Sequence, residues 1–315
     1  MKVLVTGATG FLGRDVVRQL REAQFGVRIA SRHPKTPGQA GDIVQLPNPD
    51  APAEAFLTIM RDVTHVVHCA ALNNDPANAS EADYLHANAE LTGQLARAAA
   101  ARASGRFIYL SSIRAVLGAG FSGTIDEATI PSPQCAYGRS KREGEIRTLE
   151  AYASRPSDAT ALRLPPIYGD GMGGNLATLM RLADTVLPLP AAALTGVRSL
   201  MSRKAVAQTV LHLLTRSKRL HPLYVAGNAH PLPMAAIIGA FRQGFERPAR
   251  LFAMPAGPLR TAATLLGRRK AWDIMTATQT CDPSLLVSEG WVPESDTIEQ
   301  LADMARRSKF GPAQR

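Results

Sequence analysis

Cysteine is scarce in this chain: Cys69, Cys135 and Cys281 are the only three among 315 residues. An odd number without metal-ligand spacing excludes a disulfide framework and a zinc-type site, so the thiols read as reduced and structural, and no metal is expected. Long apolar runs are missing as well. Nothing approaches the roughly 18 residues of a membrane span, and the opening "MKVLV" meets glycine too soon for a signal peptide. Both absences lead to the expectation of a cytoplasmic protein with no integral membrane segment. Aromatic residues make up only 5% and do not interleave with basic ones, which argues against a nucleic-acid partner. Acidic residues number 26 against 36 Lys and Arg, for a net charge of +10. The excess is spread from Arg14 to Arg315, with short clusters such as "GRRK" at 267–270. A solvated basic surface accounts for that distribution, with attraction of an anionic substrate and loose membrane association as the alternatives.

What is present is an ordinary soluble composition, 45% hydrophobic, in a chain long enough for one large α/β domain with or without a smaller lobe. Near its start, "TGATGFLG" (6–13) follows the apolar run "KVLV" and precedes "RDVVRQLREA". A β-branched run gives a buried strand, and Phe11, Leu12, Val16, Val17 and Leu20 give one face of a helix. Gly7, Gly10 and Gly13 therefore form a strand-to-helix turn. Such a turn leaves backbone N–H groups and the positive end of a helix dipole facing outward, where an anion can approach glycine closely. The spacing is G-x-x-G-x-x-G, wider than the usual dinucleotide fingerprint, and its other reading is a tight turn with close helix packing.

Strand-like runs at "VRIAS", "DIVQL", "THVVHCA", "RFIYLSS" and "TALRLPPIYG" alternate with helical patterns, including 81–103 and 137–154. That alternation predicts an α/β fold with a parallel sheet covered by helices on both faces. After Gly169 the rhythm breaks into a Gly- and Pro-containing segment, the start of a lobe. "PLYVAG" (222–227) is a late strand able to rejoin the main sheet. The expected division is a dinucleotide-binding domain at 1–168 plus about 220–228, and a lobe at 169–219 and 229–315.

Chemistry enters at "YGRSK", where Tyr137 and Lys141 share a helix face. A neighbouring cation favours the phenolate, so Lys141 is expected to pull the Tyr137 pKa down and make the phenol a usable proton donor or acceptor. Upstream, "YLSSI" ends a predicted strand at the carboxyl edge of the sheet, where ligands of open α/β sheets bind. There the Ser112 hydroxyl is placed to hold a substrate oxygen beside the phenol.

In this order "TGATGFLG", "HCAA", "YLSSI", "YGRSK" and "LRLPPIYG" resemble the extended short-chain dehydrogenase/reductase superfamily, in its NAD-dependent epimerase/dehydratase group, over nearly the whole chain. The resemblance implies a Rossmann-type doubly wound parallel sheet with a smaller C-terminal substrate-binding lobe. It places Gly7, Thr9, Gly10, Phe11, Leu12 and Gly13 around the cofactor pyrophosphate. Ala70 and Ala71 line the ribose-side cleft, and Pro165 and Ile167 pass the nicotinamide. Tyr137 becomes the acid/base, Lys141 binds the nicotinamide ribose, and Ser112 meets the reacting oxygen, with Ser111 as the fallback. Asn88 matches the asparagine that kinks its helix and holds a relay water. "SSIRAVLG" is one residue longer before its glycine than the common pattern, which leaves the serine register open.

In the second half, Asn175 and Arg198 match positions that grip a nucleotide diphosphate, although Ala205 stands where the family usually has aspartate. The arrangement is most similar to UDP-4-keto-6-deoxy-N-acetylhexosamine 4-reductases, then to UDP-hexose 4-epimerases. It implies an NAD(P)-dependent oxidoreductase acting at carbon 4 of a nucleotide-linked sugar. A reductase of a non-sugar ketone and a non-catalytic dinucleotide-sensing regulator are the other readings. The second strand ends in "SRHP" without Asp or Glu, so Ser31 and Arg32, with Arg14 nearby, favour NADP(H) over NAD(H). The family commonly pairs two copies through the helices at 81–103 and 137–154, which makes a homodimer the expected assembly.

Overall fold

The structure, a computed structural model, describes residues 1–34, 41–73, 79–118, 120–190, 194–265, 267 and 269–310. Arg268 of the "GRRK" cluster and Arg315 lie outside these. In chain order the strands are β1 (Lys2–Thr6), β2 (Gly26–Ser31), β3 (Asp42–Gln45), β4 (His65–His68), β5 (Phe107–Ser112), β6 (Gly123–Ile125), β7 (Ala159–Leu164), β8 (Ile167–Tyr168), β9 (Val197–Arg198), β10 (Met201–Ser202), β11 (Leu223–Val225), β12 (Leu232–Pro233) and β13 (Gln279–Cys281). Seven of them form one parallel sheet in the order β11-β7-β5-β4-β1-β2-β3. The chain runs outward from β1 to β3, then returns to β4 on the other side of β1. The connections on either side of β1 thus leave in opposite directions, which opens a crevice at the strands' carboxyl ends.

Side chains of β1 alternate between two cores. Val3 and Val5 join Val16 and Leu20 of α1 (Gly13–Glu22) with Val206 and Val210 of α7 (Arg203–Thr215). Leu4 joins Phe56 of α2 (Ala53–Ile59) and Leu95 and Ala99 of α4 (Leu91–Arg102) on the other face. α7 therefore belongs to the sheet's cover and not to the lobe, contrary to the expected boundary at 219. A sheet buried on both faces needs a second helix beside α1, and the apolar stripe of α7 supplies it. "PLYVAG" does rejoin the main sheet, as β11 beside β7. "TALRLPPIYG" is split, because Pro165 and Pro166 lack the N–H groups a ladder needs; β8 pairs with β10 instead.

The helix expected at 81–103 is not uniform. α3 (Glu81–Tyr84), opened by a Ser80–Asp83 capping box, gives way to a π-helical turn at Leu85–Glu90 before α4 begins. Ala96, Ala98 and Ala99 of α4 pack into the chain's own core, so these alanines serve the sheet. The helix at 137–154 is found as α5 (Ala136–Ala151). The lobe gathers α6 (Gly174–Ala183), α8 (Met234–Gly244) and α9 (Thr297–Phe310) around Leu179, Ile237, Phe241, Leu301 and Met304. Among the described residues no helix is long and apolar enough to cross a membrane.

Candidate active site

The glycine turn satisfies both of its readings at once. Gly7 has φ 66°, and a Cβ there would lie 2.7 Å from the Ala70 nitrogen, so only glycine lets the turn touch the chain leaving β4. A Cβ on Gly13 would collide with the Gly7 carbonyl. The Gly10 N–H donates to that carbonyl at 2.9 Å. Close packing thus explains the glycines, and it also sets the start of α1 open at the crevice. Among the described residues no main-chain acceptor takes the Phe11 or Leu12 N–H. These free donors at a helix N-terminus fit a pyrophosphate.

Across the crevice, Ala70 and Ala71 are half-buried after β4, and Pro165 and Ile167 follow β7. The Ala70 N–H donates to Thr6 Oγ1 at 3.2 Å, and Thr6 Oγ1 meets His68 Nδ1 at 2.6 Å. His68 Nε2 lies 2.9 Å from Thr92 Oγ1, whose hydroxyl donates to the Asn88 carbonyl. The direction of that last bond puts the imidazole proton on Nε2. Burial drives the His68 pKa down to about 3, so the ring stays neutral. Asn88 sits in the π turn. Its Oδ1 accepts from Leu72 N at 2.6 Å, and its Nδ2 donates to Leu72 O and to Ser140 Oγ, each at 3.0 Å. Every polar atom of the amide is thus a clamp on protein, and only the main-chain carbonyl, already taking Thr92, remains for the water role expected of it.

The two serines of "YLSSI" separate. Ser111 Oγ donates to Glu145 Oε1 at 2.7 Å, inside a buried network where Arg163 binds both Glu145 oxygens at 2.9 Å. Ser112 accepts from Arg114 N at 3.2 Å, and its hydroxyl is close enough to the Tyr137 phenol to favour the phenolate. Ser112, not Ser111, is therefore brought to Tyr137.

Lys141 behaves differently from expectation. Its Nζ donates to Leu110 O at 2.7 Å and lies over the Tyr109 ring, 4.5 Å from the centroid. Burial lowers its pKa to about 8, so its charge is only weakly held at neutral pH. Tyr137 is not pulled down. Burial pushes its phenol up to about 12, against the opposing pull of the Ser112 hydroxyl and the Arg114 guanidinium. Desolvation of the phenolate outweighs those contacts, and the ammonium is engaged with the end of β5. At neutral pH the phenol is protonated, the state of a proton donor.

Arg114, on the 3₁₀ turn after Ser112, escaped the sequence reading because an arginine in a turn carries no pattern. Its charge bears on both Tyr137 and Arg198. Arg198, on β9, is 6% exposed, and its Nη2 has no hydrogen-bond partner among the described residues. Burial, then Arg114, lowers its pKa to about 10. Asn175 is exposed on the first turn of α6 and makes no hydrogen bond with Arg198. The aspartate replaced by Ala205 is not missed at the helix start, since Ser202 caps α7 by accepting from Ala205 N at 3.0 Å. At the end of β2, Ser31 Oγ accepts from His33 N at 3.1 Å. Arg32 is exposed there, as is Arg14, and neither makes an ion pair among the described residues. Cys69 and Cys281 are pushed up to about 12 by burial, which keeps them inert thiols.

A parallel-sheet crevice with an open helix N-terminus, a protonated tyrosine, a serine beside it and a buried lysine defines a dinucleotide-dependent oxidoreductase of the short-chain dehydrogenase/reductase type. The chain belongs to the NAD dependent epimerase/dehydratase family, which it matches over residues 3–227. It is 27% identical to a UDP-glucose 4-epimerase of Vibrio cholerae over 96% of this chain and 94% of that protein. A methionine adenosyltransferase 2 subunit beta of Bos taurus is 34% identical, over 54% of this chain and 48% of its own. The solved structure of MoeE5 with UDP-glucuronic acid and NAD superposes with a TM-score of 0.76 at 20% identity, covering 99% of this chain and 100% of that one.

Proposed function

We propose that this enzyme reduces the keto group at carbon 4 of a nucleotide-linked sugar, a UDP-4-keto-6-deoxy-N-acetylhexosamine, with NADPH. The observation that carries the reading is Arg198. A guanidinium 6% exposed with an unpartnered nitrogen is costly unless an anion completes it, and a nucleotide diphosphate is such an anion. The Arg114 charge reaches both that cation and Tyr137, which supports a sugar lying between the diphosphate and the phenol. When bound, the nicotinamide supplies the hydride. Ser112 then holds the carbonyl oxygen and Tyr137 gives it a proton as negative charge develops. Lys141, fixed on Leu110, offers its remaining donors to the cofactor ribose. NADPH is favoured by Ser31 and Arg32 at the end of β2, where no carboxylate stands to repel a 2′-phosphate.

The relative from Vibrio cholerae, aligned over nearly the whole chain, favours a second reading, a UDP-sugar 4-epimerase using retained NAD. The assembled Tyr137, Ser112 and Lys141 argue against a non-catalytic role. The test has two arms: NADPH with a UDP-4-keto-6-deoxy-N-acetylhexosamine, and UDP-hexoses with no added cofactor. NADPH consumed in step with a new alcohol supports the reductase. Interconversion of hexose epimers without net cofactor change replaces it with the epimerase, and silence in both arms removes both.

A further inference from the structure

Large apolar side chains are exposed together on one face of the lobe: Leu182, Val186 (61% exposed), Leu187 (63%), Phe252 and Met254. The segments that carry them are held firmly to each other. Buried Arg242 donates to Leu187 O at 2.5 Å and to Pro248 O and Ala249 O at 3.0 and 2.9 Å. Leu189 N donates to Arg250 O, and Phe252 N to Leu189 O, both at 3.1 Å. Residues 252–258, "FAMPAGP", are all exposed and contain no polar side chain. The sequence that follows Glu246 is basic. The segment 247–270 contains Arg247, Arg250, Arg260, Arg268, Arg269 and Lys270 but no Asp or Glu. Arg247 and Arg269 are matched by Asp184 at 3.1 Å and Asp273 at 3.7 Å. Arg250 and Arg260 are exposed and make no ion pair among the described residues.

We propose that this face, the 182–187 and 250–260 segments together, docks the enzyme on an anionic lipid bilayer. Fixed apolar protrusions rimmed by unpaired arginines combine the two signals that peripheral binding needs, apolar insertion and attraction to acidic headgroups. A second copy of the chain is a poorer occupant, because it would set one basic face against another. The inference stands apart from the choice of substrate, since none of these residues belongs to the crevice groups.

The test floats the full-length protein with vesicles of phosphatidylcholine alone, or with one part in three of phosphatidylglycerol, at low and high salt. Binding is expected on the anionic vesicles, about tenfold weaker on the neutral ones and released by salt. Arg250→Glu with Arg260→Glu, and separately Leu187→Ser with Phe252→Ser, should each cut binding about tenfold. Equal binding to both vesicle types, no binding to either, or double variants that bind like the parent would overturn the proposal. So would light scattering that shows a dimer broken into monomers by the charge reversal, since a second copy would then be the occupant.

Discussion

Arg203 on α7 donates through Nε to the Asp15 carboxylate on α1 at 2.5 Å, and its guanidinium lies over the Phe11 ring, 5.0 Å from the centroid. It also reaches Asp170 O at 2.6 Å. One cation thus fastens the glycine turn, the helix behind it and the entry to the lobe. Arg203→Ala should lower stability by about 1–3 kcal/mol, the scale for a charged hydrogen bond, because Asp15 keeps Arg18 as a second partner. It should also weaken dinucleotide binding by loosening Phe11. Urea unfolding and a cofactor titration check this; parental values in both would mean that the link holds nothing in place.

Tyr137→Phe removes a proton donor and little else. Turnover is expected to fall roughly a hundredfold or more, the scale of general acid catalysis, with cofactor affinity kept. Activity within a few-fold of the parent would take Tyr137 out of the mechanism.

Arg198→Ala should cost about 1.5–3 kcal/mol of UDP affinity, the value of a charge-assisted contact. Because the parent buries a guanidinium nitrogen with no partner among the described residues, the ligand-free variant should unfold no earlier than the parent. Calorimetry with UDP and thermal melting separate the two effects. Unchanged UDP affinity would place the diphosphate elsewhere.

Cofactor choice is tested on Arg32. The parent should bind NADPH more tightly than NADH at one fixed ionic strength, and Arg32→Ala should lose that preference. A parent that prefers NADH, or a variant that still favours NADPH as strongly, defeats the assignment.

His68 gives a pH signature. Its pKa falls from 6.5 to about 3 on folding, so the unfolded chain binds the extra proton first. Its contribution is fully present above pH 6.5 and is lost as pH falls from there toward 3, by up to about 5 kcal/mol. His68→Gln should flatten the decline of the urea midpoint across that window. A decline as steep as the parent's would show that other groups set the acid limit.

Much of this was legible in the linear order of residues. The strand-turn-helix at 6–13, the alternating strands and the pairing of Tyr137 with Lys141 on one helix follow from local periodicity and glycine chemistry, which act over a few residues. The family resemblance added the roles. The sequence named Ser112 with Ser111 as the fallback, and tertiary structure took Ser111 away to Glu145, because adjacent strand residues face opposite sides and packing decides what each side meets. It placed α7 beside α1 and turned Lys141 onto Leu110. It raised the Tyr137 pKa where a neighbouring cation had suggested a fall, since desolvation depends on everything packed around a group. Asp15 and Arg203 meet across 188 residues, and one guanidinium nitrogen of Arg198 loses its water without gaining a partner among the described residues. No local pattern encodes such events, because they arise only when distant segments exclude solvent from the same place.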